Sequence, residues 1–501
     1  MSSCSRSWLL QALNSLPLKG AIQDDILMES QLDYVNELSQ STSMDSVSCR
    51  VPQVRFVSLK GQENRTLQNW AQIESCKPKQ YFEPETIEDI GKIIQLCRRN
   101  NWKLRVFGTG HSPNNIAMTD DCIINLRRLN RIENIDKEQK TVTAQAGTTI
   151  KQLNQELAKH QLGLSSLGSI SEQTIAGAIS TGTHGTGITF SILGANIVQL
   201  ELLTATGERL ECSETEQPEI FKAAVCGLGC LGVIVRVKIQ CEKAFRLYAI
   251  QEPLSLDKVL DNLDDWVKSA EHWRFWWFPH TDKCVVWTAN RTERPSTPQP
   301  SFISAWFKER LLGYHSLEAM LYLATFAPSL IPIINRLYFR LLFDEKKEKV
   351  DQSDKVFNFD CLFRQYVDEW AIPRRHTVEA MKRLRNLIET SGLYVHFPIE
   401  VRFTGADDIW LSPSYGRESG WIGIIMYRPY SKDVSFKYYF EQFEQIMQSL
   451  DGRPHWAKPH SCHSSQLSKM YPRFSEFKQI REKLDPEHIF SNSYIDRILD
   501  G

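Results

Sequence analysis

Arg105-Val-Phe-Gly-Thr-Gly-His-Ser-Pro113 is the stretch on which the fold turns. Residues 102–107, Trp-Lys-Leu-Arg-Val-Phe, alternate apolar and basic side chains and predict a half-buried strand entering a turn. Gly108 and Gly110 admit positive φ and a close backbone approach, so consecutive N–H groups can converge on a diphosphate. A phosphate cradle is one reading, and a plain connecting turn is the other. The spacing is not that of the dinucleotide-binding βαβ unit, because His111-Ser-Pro113 follows where a third glycine would open a helix. His111 places an imidazole beside the cradle that could act as base, ligand or covalent tether.

Working outward, Thr86 stands as an N-cap ahead of Ile87, Ile90, Ile93, Ile94 and Cys97 at helical spacing. Residues 103–107 and 122–126 then give a β-α-β opening, and residues 141–146 add a strand. Thr149 with Gln152 predicts a capping box for a helix reaching Ala158. Residues 197–203 and 208–212 flank Thr206-Gly207 as a hairpin, and Gly227-Leu-Gly-Cys-Leu-Gly232 leads into a strand over 233–239. Beyond residue 242 aromatics become dense, as in His272-Trp-Arg-Phe-Trp-Trp-Phe-Pro279, and such a stripe is more often core than ligand contact.

The length of 501 residues suggests two domains, and the net charge of −1 offers no global attraction for nucleic acid. Twelve cysteines without a CxxC pair point to a reduced, metal-free, intracellular protein, in which the sequons at Asn64 and Asn290 go unused. Residues 1–50 are rich in Ser, Gln and Asp and predict a poorly ordered arm, and 297–300 reads as a linker. Residues 319–335 carry no charge but contain Pro328 and Pro332, which is marginal for a membrane span. The segment 305–343 is therefore either an interfacial, membrane-associated pair of helices or a buried one.

A second small-residue stretch agrees with the loop. Gly168-Ser-Ile-Ser-Glu-Gln-Thr-Ile-Ala-Gly177 runs into Ala178-Ile-Ser-Thr-Gly-Thr-His-Gly-Thr-Gly187, a composition that lays backbone against a flat partner. The two stretches together resemble the flavin-binding domain of the vanillyl-alcohol-oxidase superfamily, and within it the aldonolactone oxidases. Pro398-Ile-Glu-Val-Arg-Phe-Thr404, Asp407-Asp-Ile-Trp-Leu-Ser-Pro-Ser-Tyr415, Met426-Tyr-Arg-Pro-Tyr430, Gly452-Arg-Pro-His-Trp-Ala-Lys458, Arg481-Glu-Lys-Leu-Asp-Pro486 and Phe490-Ser-Asn492 extend that resemblance to the C-terminus.

The resemblance implies an α+β, two-domain vanillyl-alcohol-oxidase (PCMH-type) FAD-binding fold, its cap domain an antiparallel sheet flanked by helices. The expected boundaries are a flavin domain over 75–242 and a cap over 243–501, with residues 452–501 returning to the flavin. FAD contacts are expected from Val106, Phe107, Gly108, Thr109, Gly110, His111, Ser112 and Pro113, and from Gly168, Ser169, Thr174, Gly177, Ser180, Thr181, Gly182, Thr183, His184 and Gly185. Gly232, Val233, Ile234 and His455 complete that set. His111 matches the histidine that carries a covalent flavin in animal and fungal members, and Gly168 matches the residue that leaves room for oxygen.

Glu400 and Arg402 share one face of a strand by the period of two. The resemblance makes Glu400 the proton acceptor, with a pKa expected to be raised by burial, and Arg402 the group that orients substrate oxygens beside the flavin. Lys458 is the third catalytic candidate. The implied reaction is oxidation of a sugar 1,4-lactone at C2, with O2 reduced to H2O2 and no metal. D-arabinono-1,4-lactone is the expected substrate, with L-gulono-1,4-lactone as the alternative. A dehydrogenase passing electrons to a cytochrome and a non-enzymatic flavin-binding module are the other readings. Association with a mitochondrial or endoplasmic-reticulum membrane through 305–343 completes the expectation.

Overall fold

The computed structural model describes residues 61–298, 313–359 and 363–501. The arm expected over 1–50, positions 305–312 of the membrane candidate and positions 299–300 of the linker at 297–300 lie outside these residues.

The glycine loop grows from a small parallel sheet. Leu104–Phe107 and Gln80–Phe82 both pair parallel with Cys122–Asn125, and the Ile87–Asn100 helix is the crossover that parallel pairing requires. Thr86 caps that helix by accepting the Asp89 N–H at 3.1 Å, and its Ile90, Ile93, Ile94 and Cys97 face is buried against the sheet. The strand begins two residues later than its alternation suggests. Asn101 ends the helix in the left-handed region, and the Trp102 N–H still donates to the Cys97 carbonyl at 2.9 Å.

An antiparallel sheet follows in the order Arg209–Ser213, Ile197–Leu203, Val233–Gln240, Thr141–Gln145, Ile132–Asp136. The Thr149 and Gln152 capping box is present at the start of the Ile150–Lys159 helix. The hairpin around Thr206-Gly207 forms with Leu203 opposite Arg209.

The second half of the chain supplies one eight-stranded antiparallel sheet. Its order is Lys347–Gln352, Arg246–Ser255, Lys283–Thr292, His272–Trp277, Ile399–Thr404, Ser419–Tyr427, Gln365–Pro373, Arg453–Pro454. Trp273, Phe275 and Trp277 alternate with Arg274 and Trp276, so the expected core reading holds for one face only. Trp273, Phe275, Trp277, Val401 and Phe403 are fully buried, and the Thr377–Thr390 and Lys437–Ser449 helices pack on the sheet with buried Leu384 and Phe443. Val285 and Phe278 pack instead with the Ser316–Ala324 and Ile331–Tyr338 helices.

The final segment closes on the first sheet. The Leu104 N–H donates to the Ile489 carbonyl, and the Asn492 side chain donates to the carbonyls of Asn115, Ile116 and Met118. Within 313–343 the two helices bury Leu317, Leu321, Ile331 and Ile334 yet leave Leu323, Phe326, Ile333 and Leu341 exposed. No helix among the described residues is long and apolar enough to cross a membrane.

Candidate active site

The loop that leaves the Leu104–Phe107 strand lines an open cleft. Val106, Phe107, Gly108, Thr109, Gly110, His111 and Ser112 form one wall, Thr174, Gly177, Ser180 and Thr181 a second, and Gly232 and Ile234 a third. The lining, backbone and small side chains on facing walls, suits an extended dinucleotide. Two further observations fit FAD. The N–H groups of Thr109, Gly110, His111 and Ser112 donate to no backbone carbonyl among the described residues, which leaves them for an anion. A Cβ at Gly108 would lie 2.7 Å from Thr174 Oγ1, so the two walls approach as closely as they do only because glycine is there.

Sequence reading missed the residue that ties these walls together. Arg105 is buried, and its guanidinium donates to the carbonyls of Ile116, Leu228, Gly229 and Phe490 at 2.8 to 2.9 Å. Burial lowers its pKa to about 10, which leaves it charged at neutral pH. Asn114 makes a second tie, donating to the carbonyls of Trp456 and Lys458 and so fixing the Lys458 backbone beside the loop. The positive charge of Lys458 and the burial of His111 both push the His111 imidazole towards its neutral form, burial more strongly.

Not every expected contact reaches the cleft. Val233 is fully buried in the core behind the sheet, and the alternation of its strand presents Ile234 to the cleft instead. Pro113, Gly168, Ser169, Gly182, Thr183, His184, Gly185 and His455 lie outside the cleft lining. Gly182 and Gly185 meet the chain itself, against Pro413 and Cys226 and against Ser166 and Leu167. The Cβ that Gly168 lacks would stand 3.1 Å from Thr183 Cγ2 and 3.2 Å from the His184 carbonyl. A side chain there would crowd the chain's own backbone by a few tenths of an ångström.

A second cluster lies on one face of the cap sheet and is built by register. Glu400 faces Trp276 on one neighbouring strand and Gly423 on the other, and Gly423 in turn faces Glu369. Two residues along, Arg402 faces Arg274 and Trp421, and Arg274 faces Trp287. Opposed residues share a face, so Glu369, Trp421, Glu400, Arg402, Trp276, Arg274 and Trp287 all project to the same side. Glu400 Oε1 accepts from Trp276 Nε1 at 2.8 Å, Arg402 Nη2 at 2.9 Å and Arg274 Nη1 at 3.2 Å. Arg402 also donates to Ser169 Oγ, while Asn358 Nδ2 donates to the Gly168 carbonyl at 2.9 Å. The cap face thus closes onto the second glycine stretch.

Here the structure corrects the expected ionisation of Glu400. Burial alone would raise its pKa, but the charges of Arg402 and Arg274 and the Trp276 and Arg402 hydrogen bonds outweigh burial and bring it below the ordinary carboxylate value. Glu400 is a stable carboxylate held between two arginines, rather than a base poised near neutral pH.

Glu369 had no place among the sequence candidates and joins three of them. Its Oε1 is 3.2 Å from His184 Nε2, its Oε2 is 3.9 Å from Lys458 Nζ, and its carbonyl accepts the His455 N–H. Burial pushes its pKa up, yet the His184 hydrogen bond and the positive charge of Lys458 carry it well below the carboxylate range. His184 stacks on Trp421 at 3.7 Å between ring centroids, and burial holds His455 down at about 3, neutral at physiological pH. His184, Glu369 and His455 bring three ligand-type atoms within 4.8 Å of one another, with the Lys458 ammonium as the neighbouring cation.

Comparison with known proteins bears directly on this arrangement. The model of the D-arabinono-1,4-lactone oxidase family matches residues 237–498, and that of an FAD binding domain matches residues 78–213. An L-gulonolactone oxidase of Scyliorhinus torazame is 46% identical over 86% of this chain and 97% of its own length. A D-arabinono-1,4-lactone oxidase of Candida glabrata is 30% identical over 86% of this chain and 95% of its own. Among solved structures, a cholesterol oxidase from B. sterolicum superposes with a TM-score of 0.74 at 15% identity, covering 91% of this chain and 100% of that one. At that identity the likeness concerns the fold alone.

Proposed function

The chain belongs to the D-arabinono-1,4-lactone oxidase family of FAD-dependent oxidoreductases, and from that membership we propose that it oxidises the C2 hydroxyl of sugar 1,4-lactones at the cap face around Glu400. The observation that carries this reading is the carboxylate of Glu400, fixed by Arg402, Arg274 and Trp276 and joined through Arg402 to the second glycine stretch. Residues 105–112 and the walls at 174–181 and at Gly232 and Ile234 would hold FAD, which would supply a hydride acceptor and a route for the electrons to O2, with H2O2 as the second product. The flavin half over 75–242 and the cap over 243–501 divide the work of cofactor and substrate.

The roles of the protein groups follow from their charges. Glu400, ionised throughout the neutral range, accepts a hydrogen bond from the substrate hydroxyl and takes up its proton as the C2–H bond breaks, that proton leaving with the peroxide. Arg402 donates to substrate oxygens and stabilises negative charge as it develops there. Lys458, anchored by Asn114 and faced by Glu369, adds a second positive charge next to His111. The resulting 2-keto lactone tautomerises to an enediol. Both lactones are substrates in this proposal, since the family carries the name of the five-carbon lactone and the higher identity is to oxidases of the six-carbon one. One carbon of side chain changes few contacts, so discrimination is loose.

The neutral His111 ring, buried at the cleft wall, has a free lone pair, which supports covalent attachment of the flavin there. His111→Ala should release the flavin on acid precipitation, and yellow colour staying in the pellet would remove the assignment. Oxygen uptake and peroxide formation with D-arabinono- and L-gulono-1,4-lactone test the activity, and cytochrome reduction without oxygen uptake would replace the oxidase by a dehydrogenase.

The exposed Leu323, Phe326, Ile333 and Leu341, with Lys432 Nζ 3.5 Å above the Phe326 ring, support peripheral docking of this face on an intracellular membrane. Cosedimentation with phospholipid vesicles tests it, and protein left wholly in the supernatant would reject it.

A further inference from the structure

We propose that Arg274 binds substrate oxygens jointly with Arg402, as a two-guanidinium clamp that makes the site prefer anionic sugar ligands to the neutral lactone. The proposal rests on the lactone-oxidase reading above and names a residue and a ligand charge that reading does not contain.

Charge count is the starting point. Two guanidiniums converge on one carboxylate, Arg274 at 3.2 Å and Arg402 at 2.9 Å from the same Glu400 oxygen. The two arginine side chains are buried, at 7% and 8% exposure, while Glu400 keeps a quarter of its surface open. A buried positive charge in excess of its partners is costly unless a ligand answers it. The hydrogen bonds leave room for that ligand. Among the described residues Arg274 donates only through Nη1, and Arg402 only through Nη2, on Glu400 and Ser169. Both Nε groups are buried without an acceptor.

Arg274 is also held in place independently of Glu400. Its guanidinium carbon lies 4.5 Å from the Trp287 ring, 4.9 Å from Phe359 and 5.2 Å from Trp276, an aromatic cage that orients a planar cation and restricts the fork to few directions. Burial and the neighbouring Arg402 lower its pKa to about 9, which leaves it a cation at neutral pH.

The chemistry of the reaction supplies the matching ligands. The substrate lactone is neutral. Its oxidised product tautomerises to an enediol conjugated with the lactone carbonyl, which loses one proton to give an enediolate with charge shared over two oxygens. Hydrolysis of the lactone ring yields the open-chain aldonate and a proton. Both anions offer paired oxygens to a pair of guanidiniums, and both would compete with the substrate.

The test compares wild type with Arg274→Met, Arg274→Lys and Glu400→Gln. L-Gulonate is titrated into each yellow protein and followed by its visible spectrum, and the KM for L-gulono-1,4-lactone is measured alongside. Arg274→Met should weaken gulonate binding by about 10- to 100-fold, the loss of a hydrogen-bonded charge, while the lactone KM rises by a smaller factor. Arg274→Lys should fall between. Glu400→Gln, which removes the opposing charge, should tighten gulonate, and this opposite sign separates charge from packing. Equal losses for gulonate and lactone in Arg274→Met, or weaker gulonate binding in Glu400→Gln, would overturn the clamp. If Arg274→Met does not fold with flavin, the lysine and Glu400→Gln variants decide it. Gulonate binding that follows these signs in a protein inert towards both lactones would uphold the clamp and reject the lactone-oxidase reading.

Discussion

The glycine cradle and the cap-sheet face solve opposite recognition problems with opposite materials. At the cradle the chain presents backbone: glycines, threonines and N–H groups without carbonyl partners, assembled from stretches that are each continuous in sequence. At the cap face it presents side chains, two carboxylates, two arginines and three tryptophans, carried on separate strands and brought together by register. Backbone donors suit a diphosphate, whereas charged side chains can set the charge and reactivity of a small substrate. The two regions should therefore fail differently when mutated.

Glu400→Gln should produce the largest effect, lowering kcat/KM by roughly 10²–10⁴ without loss of flavin, because it removes the anion that two arginines and Trp276 hold in place. Steady-state rates beside flavin content per protein check this, and loss of flavin in step with activity would erase the distinction between the regions. Since its arginine neighbours bring the Glu400 pKa below the ordinary carboxylate value, protonation of Glu400 should contribute no acid limb to the wild-type rate near pH 6 to 7.

Arg105→Met is the matching lesion in the cradle. It strips four carbonyls on three chain segments of their shared donor and should cost about 3–5 kcal/mol, read as a lowered midpoint in chemical denaturation, with weaker flavin retention. A variant that keeps wild-type stability would show that the loop holds itself. Glu369→Gln should be milder, at about 1–3 kcal/mol near neutral pH. Its folded pKa is depressed, so the contribution is full above the unfolded carboxylate value near 4.5 and is lost as pH falls below it. The stability gap between wild type and variant should therefore narrow from pH 7 to pH 4, and a gap that widens would contradict the depressed pKa.

Local chemistry determined a good deal from sequence alone. The Thr86 cap, the Thr149 and Gln152 box, the hairpin at Thr206-Gly207 and the glycine loop at 108–110 each depend on residues within a few positions of one another, and each forms as its pattern requires. The same holds for Glu400 and Arg402, whose shared face follows from the period of one strand. Tertiary structure decided the rest. Arg274 lies 126 residues from Glu400 and meets it only because two antiparallel strands align Arg274 with Arg402. Glu369 reaches His184, 185 residues away, through the same sheet, and the two arginines reverse the effect that burial alone would have on Glu400. Val233 and Ile234 differ by one position, and the sheet sends one to the core and the other to the cleft. Register, burial and the balance of neighbouring charges are set by pairing between distant segments, and no single stretch of the chain contains that information.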